Sequence, residues 1–346
     1  MKHLLAATLF SVTLAVGLAP PAAAQSDILL RLRSGSPPGD RFRVDSAGGV
    51  VARSFIGIGI IPQSGAGDRM MWHPFKGAFR AGGVDDTQWD EGNVGFYTLA
   101  AGFNPTAAGY YSVAMGYGSR TGTLGQYGFA MGNTSHANGT AAVAIGFRTT
   151  ADSDYGVALG HRASTNGHDG AFVIADQSTS DSLEASANNQ FSARYAGGYR
   201  LFTNATKTTG VSLNAGGSSW NVISDRDRKE SFLGIDGEDV LARIRSLPVS
   251  TWRYRGEEDR TVRHIGPMAQ DWQRAFGFSR DETTINMSDF DGVNLAAIQA
   301  LEVRSRAQAD EIRTLRTENA ALRAANAEME RRLRRLESLL PASGAP

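Results

Sequence analysis

The chain has no cysteine, so an oxidising compartment would give it no disulfide support, and no thiolate metal centre is open to it. Its six histidines (His3, His73, His136, His161, His168, His264) fall at no ligand spacing. No glycine-rich phosphate loop follows a strand and opens a helix. No metal or cofactor is therefore expected. Lysine is scarce: the 35 basic residues are 31 Arg and only four Lys, one of them, Lys2, in the N-terminal leader. Net charge is zero, which argues against a nucleic-acid partner, because phosphate binding needs a basic field. No convincing pair of carboxylates for glycoside cleavage stands out. Long apolar runs are missing too. The stretch Leu4–Leu18 is too short to span a bilayer, and no later one is long enough. With Lys2 and His3 before it and Ala22-Ala23-Ala24 after it, that stretch reads as a secretory leader over residues 1–24. The mature chain is expected outside the cytoplasm, with no integral membrane span.

Glycine is abundant, at 40 of 346 residues against a usual ~7 %, and its excess is concentrated. Residues 27–60 alternate in short runs broken by Gly and Pro, such as Ile28-Leu29-Leu30-Arg31-Leu32, and read as edge or hairpin strands. The aromatic-rich block from Met70 to Gly82 reads as a cap on the open end of a repeat array, with a ligand surface as the alternative. From Ala101-Gly102 the repeats are plain: Ala114-Met115-Gly116, Ala130-Met131-Gly132, Ala144-Ile145-Gly146 and Ala158-Leu159-Gly160 follow at intervals of 14, 16, 14 and 14 residues. A unit that short has room for two strands and two turns, one coil of a β-solenoid. Val113 with Met115, Val143 with Ile145, and Val157 with Leu159 are expected to point into its core. The wording Ser112-Val113-Ala114-Met115-Gly116 resembles the left-handed β-roll heads of trimeric autotransporter adhesins. That resemblance implies three rolls side by side and a surface that binds host matrix, another cell or a glycan.

Residues 170–222 return to irregular strands and read as a β-prism or stalk, entering Ile223-Ser224-Asp225-Arg226-Asp227-Arg228-Lys229-Glu230. A hydroxyl and an amine five residues apart form a nucleophile–base pair once the amine is neutral. Arg cannot give up its proton and Lys can, and the cations Arg226 and Arg228 beside Lys229 favour the neutral amine. The competing reading is an N-cap serine before a solvated charge run. Further on, Asp236-Gly237-Glu238-Asp239 supplies an N-cap and acidic first turn for a helix through Leu247, ended by Pro248. Val249 to Tyr254 reads as a strand, and His264-Ile265-Gly266-Pro267-Met268-Ala269-Gln270-Asp271 leads from a strand into a helix running to about Phe276.

Ser-Asp-x-x-x-Lys-Glu from Ser224, the helix ending Leu247-Pro248, Trp252-Arg253-Tyr254, the His264–Asp271 run and Leu295-Ala296-Ala297-Ile298-Gln299-Ala300-Leu301 stand in one order. Together they resemble the intramolecular-chaperone autoprotease domain of endosialidase-type phage tailspikes, found also in myelin regulatory factor. The resemblance implies a Ser–Lys dyad that cuts its own chain before the serine, with Ser224 as nucleophile, Lys229 as general base and Ile223–Ser224 as the scissile bond. His264 is a further catalytic candidate, against the commoner role of a hydrogen-bonded structural histidine. Gln270 and Asp271 are expected to orient backbone or cap the helix.

From Ile298 the positions 298, 301, 305, 308, 312, 315, 319, 322, 326, 329, 333, 336 and 340 step by three and four without a slip and are apolar except at Ser305, Gln308, Asn319 and Asn326, a heptad seam. In a parallel oligomer the flanks pair as Glu311–Arg316, Glu318–Arg323 and Arg332–Glu337, all attractive. Asn319 and Asn326 at a positions favour a dimer, while the two resemblances imply a trimer. The expected architecture is thus mainly β at first, a left-handed parallel β-roll or solenoid plus a β stalk. A small α+β chaperone domain follows, ending in a long parallel coiled coil, in a homotrimer. Its expected boundaries are 1–24 leader, 25–100 N-terminal β region and cap, 101–176 repeats, 177–223 stalk, 224–297 chaperone, 298–340 coiled coil and 341–346 tail. The expected function is an exported, self-processing fibre or adhesin; the alternative is an adhesin whose chaperone domain stays attached and inactive.

Overall fold

The computed structural model describes residues 28–339 apart from 36–37, 54–55 and 279. The expected leader 1–24, Leu340 of the seam and the tail 341–346 lie outside the described residues. The chain divides into two compact units, Met1–Arg200 with Ser212–Trp220, and Leu201–Val211 with Asn221–Pro346.

The first unit opens with an antiparallel meander, Ile28–Gly35, Pro38–Asp45 and Val50–Ala52. A nine-stranded sheet follows. The hairpin Gly67–His73/Ala78–Val84 forms one end, and Leu99–Phe103, Val113–Tyr117, Phe129–Asn133, Val143–Phe147, Val157–His161, Phe172–Ala175 and Phe191–Arg194 add to it in parallel. A second parallel sheet stacks the short strands from Thr106–Ala107 to Leu183–Glu184. Each coil contributes one strand to each sheet, so this region is a β-solenoid. Ala78–Val84 joins the first coil in parallel, and Gly67–His73 folds back antiparallel on it as the outermost strand, which ends the stack. Arg80 of that hairpin is fully buried, donating to the carbonyls of Phe79, Thr98 and Ala107 and to Thr98 Oγ1. Burial pulls its guanidinium down to about 10, which leaves it charged at neutral pH.

The solenoid core corrects the sequence expectation. Its interior is alanine: Ala100, Ala114, Ala130, Ala144 and Ala158 are fully buried from the long strands, and Ala107, Ala137 and Ala151 from the short ones. Ile145, expected inside, is 36 % exposed, and Met115, Leu159, Val113, Val143 and Val157 are half-buried. Side chains alternate across a strand, so only one of each Val-Ala pair faces inward. Two sheets this close admit the methyl and exclude the larger side chain. Buried hydroxyls complete the interior: Ser112 Oγ donates to Gly109 O at 2.6 Å and Ser135 Oγ to Gly146 O at 3.0 Å. The repeat glycine has a steric cause. At Gly132 (φ +123°) an added Cβ would stand 2.0 Å from the carbonyl oxygen of Gly146, and Gly102, Gly116 and Gly146 meet the next coil in the same way.

The second unit is a small α+β domain. Helix α1 (Gly237–Ser246) is capped by Asp236, whose side chain accepts from the backbone N–H groups of Glu238 and Asp239. The strands Ser250–Trp252 and His264–Gly266 pair antiparallel. Helix α2 (Ala269–Phe276) ends at Gly277 in the left-handed region, φ 72°. Helix α3 (Met287–Leu339) is 53 residues long, roughly 80 Å at ~1.5 Å per residue. Val240, Leu241 and Trp272 pack with Val293, Ala296, Ala297 and Ala300, so the first turns of α3 are part of this core. The helix therefore starts eleven residues before Ile298 and runs unbroken through the position expected to separate domain from coiled coil. Beyond Ala300 the seam is open: Ile312, Leu315, Leu322, Met329, Leu333 and Leu336 are all at least half exposed.

Candidate active site

Backbone turn chemistry brings the two sequence-distant groups together. The strand Asn221–Val222 delivers Ile223 and Ser224, and the chain then makes a single 3-10 turn, Arg226–Arg228. Asp225 holds that turn. Its Oδ1 accepts from Asp227 N at 3.0 Å, its Oδ2 pairs with Arg228 Nε at 3.1 Å, and Arg228 N donates to its carbonyl. The Asp227 N–H first, and Arg228 second, hold the Asp225 carboxyl below the usual carboxylate range. Lys229 N closes the turn on Arg226 O at 3.1 Å. One turn of that pitch returns the Lys229 side chain to the serine: Nζ donates to Ser224 Oγ at 2.6 Å. The serine is not the cap; Asp225 is. Sequence reading passed over Asp225, although an Asp two residues before a backbone N–H is a common turn clamp.

The flanking cations have partners of their own. Arg228 is compensated by Asp225, and the Arg226 guanidinium lies over the Phe232 ring at 5.2 Å. Ser231 then turns the chain with a left-handed φ of 57°. All of residues 221–236 are exposed, including the apolar Phe232, Leu233 and Ile235. Ile223, on the other side of the serine, is 36 % exposed, and its backbone N–H donates to Gly210 O at 3.3 Å.

His264 is placed elsewhere. Its Nε2 pairs with Glu257 Oε1 at 3.1 Å, and its ring packs against Trp252 and Tyr254 at 4.8 and 5.5 Å. These contacts are those of a structural histidine locking the two-stranded sheet, in which His264 stands opposite Trp252. Asp271 does not cap α2, whose N-terminus has no side-chain cap; it pairs with Arg274 at 2.8 Å. Gln270 lines a groove of about 630 Å³ with Trp252, Tyr254, Ile265 and Met287.

A nucleophile in contact with an amine, next to an exposed and extended peptide bond, is equipped for acyl transfer onto its own backbone. Residues 224–278 match the family model described as chaperone of endosialidase. Residues 94–119, 124–149 and 137–163 match the YadA head domain repeat. No curated protein and no solved structure matches the chain. The C-terminal domain is thus a self-cleaving peptidase of the chaperone-of-endosialidase type, and the solenoid is made of adhesin head repeats. No helix among the described residues is long and apolar enough to cross a membrane.

Proposed function

We propose that this chain, a chaperone-of-endosialidase peptidase domain behind adhesin head repeats, is an exported trimeric fibre that assembles on its C-terminal domain and then severs its own Ile223–Ser224 bond. The contact of Lys229 Nζ with Ser224 Oγ at 2.6 Å, inside the residues that match the peptidase family, is the observation that carries this reading.

Neutral Lys229 takes the Ser224 hydroxyl proton as Oγ attacks the Ile223 carbonyl carbon. The attack is intramolecular and has the high effective molarity of a tethered pair. The C–N bond breaks, and the proton passes from Lys229 to the departing Ser224 amine. Water then hydrolyses the Ile223 ester, which leaves a carboxylate at Ile223 and restores the serine hydroxyl. In the single chain the dyad is exposed to water; neighbouring copies that exclude water favour the neutral form of an amine. Cutting is thereby tied to assembly.

Association through α3 is supported by its open seam, and three as the number of copies by the two family likenesses. Among the described residues Glu311, Arg316, Glu318 and Arg323 make no ion pair within their own chain, while Arg331 and Arg332 pair with Glu328. The flanks that a neighbour would meet at Glu311–Arg316 and Glu318–Arg323 are thus uncommitted. The solenoid supplies the adhesive surface, for a host-surface, matrix or glycan ligand, after the templating domain is cut away.

A denaturing gel of the purified protein, with N-terminal sequencing of the fragments, tests the proposal. We expect a C-terminal fragment beginning at Ser224 in the wild type and an intact chain in Ser224→Ala. An intact chain in both favours instead a permanently attached, non-cleaving adhesin.

A further inference from the structure

One edge of the solenoid carries a ladder of turn residues, one per coil and all but one of them tyrosine, each held by a backbone hydrogen bond to the coil before it. Tyr111 N donates to Phe96 O, Tyr127 N to Tyr110 O, Ala141 N to Gln126 O and Tyr155 N to Thr140 O. The rungs are therefore Tyr97, Tyr111, Tyr127, Ala141 and Tyr155, all at a left-handed φ of 53 to 59°. The first three rings stack face to face, with centroids 5.4 and 5.2 Å apart and planes within 4 and 7° of parallel. At Ala141 the ring is missing. Tyr127 and Tyr155 stand two coils apart, about 10 Å at ~4.8 Å per coil, with Ala141 as the rung between them. Tyr155 is the most exposed rung, at 67 % against 50 % for Tyr97 and Tyr111, and among the described residues no ring stacks on it.

We propose that this gap is a binding slot for one hexopyranose unit of a glycan, sandwiched between Tyr127 and Tyr155 above Ala141. A ring centred there lies about 5 Å from each tyrosine, inside the ~4.5–7 Å range over which ring faces attract. A pyranose chair presents axial C–H bonds, the positive partner that the negative face of an aromatic ring prefers, and carries hydroxyls around its rim. The rim meets polar groups here. Thr140 and Asp154 each precede a rung, and Asp154 uses only Oδ1 within the chain, accepting from Thr140 N at 2.7 Å. An aromatic or proline side chain of a protein partner would fill the slot but leave these groups unmatched. At the far ends of the long strands the pattern recurs: Phe103 stacks on Tyr117 and Phe147 on His161, and Asn133 stands in register between the two pairs.

The inference rests on the reading of the repeats as an adhesive head and names the chemistry that head recognises. The probes are cellohexaose, chitohexaose and β-1,4-galactohexaose, titrated against the full chain carrying Ser224→Ala and followed by calorimetry and tyrosine fluorescence, with decaproline as the protein-like competitor. At least one sugar binds and quenches tyrosine emission. Tyr155→Ala, which removes a wall, and Ala141→Tyr, which fills the missing rung with a residue its neighbours show to suit that backbone, each weaken binding at least tenfold. Circular dichroism and Tm report that both variants stay folded, and Ala141→Tyr melts no lower than its parent. Binding of none of the sugars, sugar binding unchanged in Ala141→Tyr, or binding of decaproline in preference to the sugars overturns the proposal. Because cleavage is disabled throughout, these outcomes are independent of whether the wild type cuts itself.

Discussion

A serine hydroxyl keeps its proton at neutral pH unless a neutral amine stands within reach, and here the amine is the rarer of the two basic residues in the chain. Lys229→Arg keeps the charge and the hydrogen-bonding reach, yet a guanidinium does not deprotonate. It is expected to abolish the cut while the turn and the oligomer persist, as read by denaturing gel and light scattering. Asp225→Ala removes the clamp that brings Lys229 back to Ser224. Loss of a cap of ~1 kcal/mol predicts cleavage slowed by roughly fivefold to tenfold, measured as the rate of fragment appearance. The pair itself was legible in the sequence through the scarcity of lysine and the order of motifs around it. The clamp was not, because Ser224 and Asp225 are both good caps and only the backbone path decides which one turns. His264 was ambiguous for a related reason: one histidine at a strand end looks the same whether it faces a nucleophile or, as here, Glu257 and two aromatic rings.

Among the elements, the solenoid shows what periodicity reveals and what it leaves open. Intervals of 14 and 16 residues specify the coil, but a period of two has no preferred face, so Val113 and Ala114 exchange roles without any change in pattern. What decides is the gap between the sheets, a property of two elements rather than one. Gly132→Ala puts a Cβ 2.0 Å from the Gly146 carbonyl oxygen and forces a strained φ; it is expected to cost at least ~2 kcal/mol and to lower the Tm of the solenoid. Asp176 ties the far end. Its carboxylate accepts from Ala196 N and Ser178 Oγ, both at 2.7 Å, and from Arg194, and the Ala196 N–H leads in lowering its pKa to about 2. A carboxyl lowered on folding adds stability above its ordinary value and loses it as pH falls towards the folded one. The far coils are therefore expected to loosen as pH drops from 3.8 to about 2, and Asp176→Asn should flatten that dependence in an acid titration followed by hydrogen exchange. In α3 the helix itself was legible from Ile298 onward, whereas its start at Met287 was not, because Val293, Ala296 and Ala297 belong to a different, inward face that breaks the heptad signal.

For the whole molecule, an α3 that leaves a long apolar seam in water is incomplete as a single chain, and the uncommitted charges beside that seam fit a second copy. Each seam leucine covered on association contributes ~1.5–3 kcal/mol. Leu322→Asp replaces one per chain with a charge at a d position and is expected to shift the protein to monomer and, with it, to suppress the cut. Native mass spectrometry reads the first effect and a denaturing gel the second. The link between those effects is the centre of the account, and the dependence of cutting on protein concentration tests it most directly. Chain freshly refolded at a series of dilutions is sampled over time for trimer and for the fragment beginning at Ser224. The account predicts that the cleavage rate rises steeply with concentration and that fragment appears only in step with trimer. Fragment forming at one rate at every dilution, in samples that remain monomeric, would contradict it.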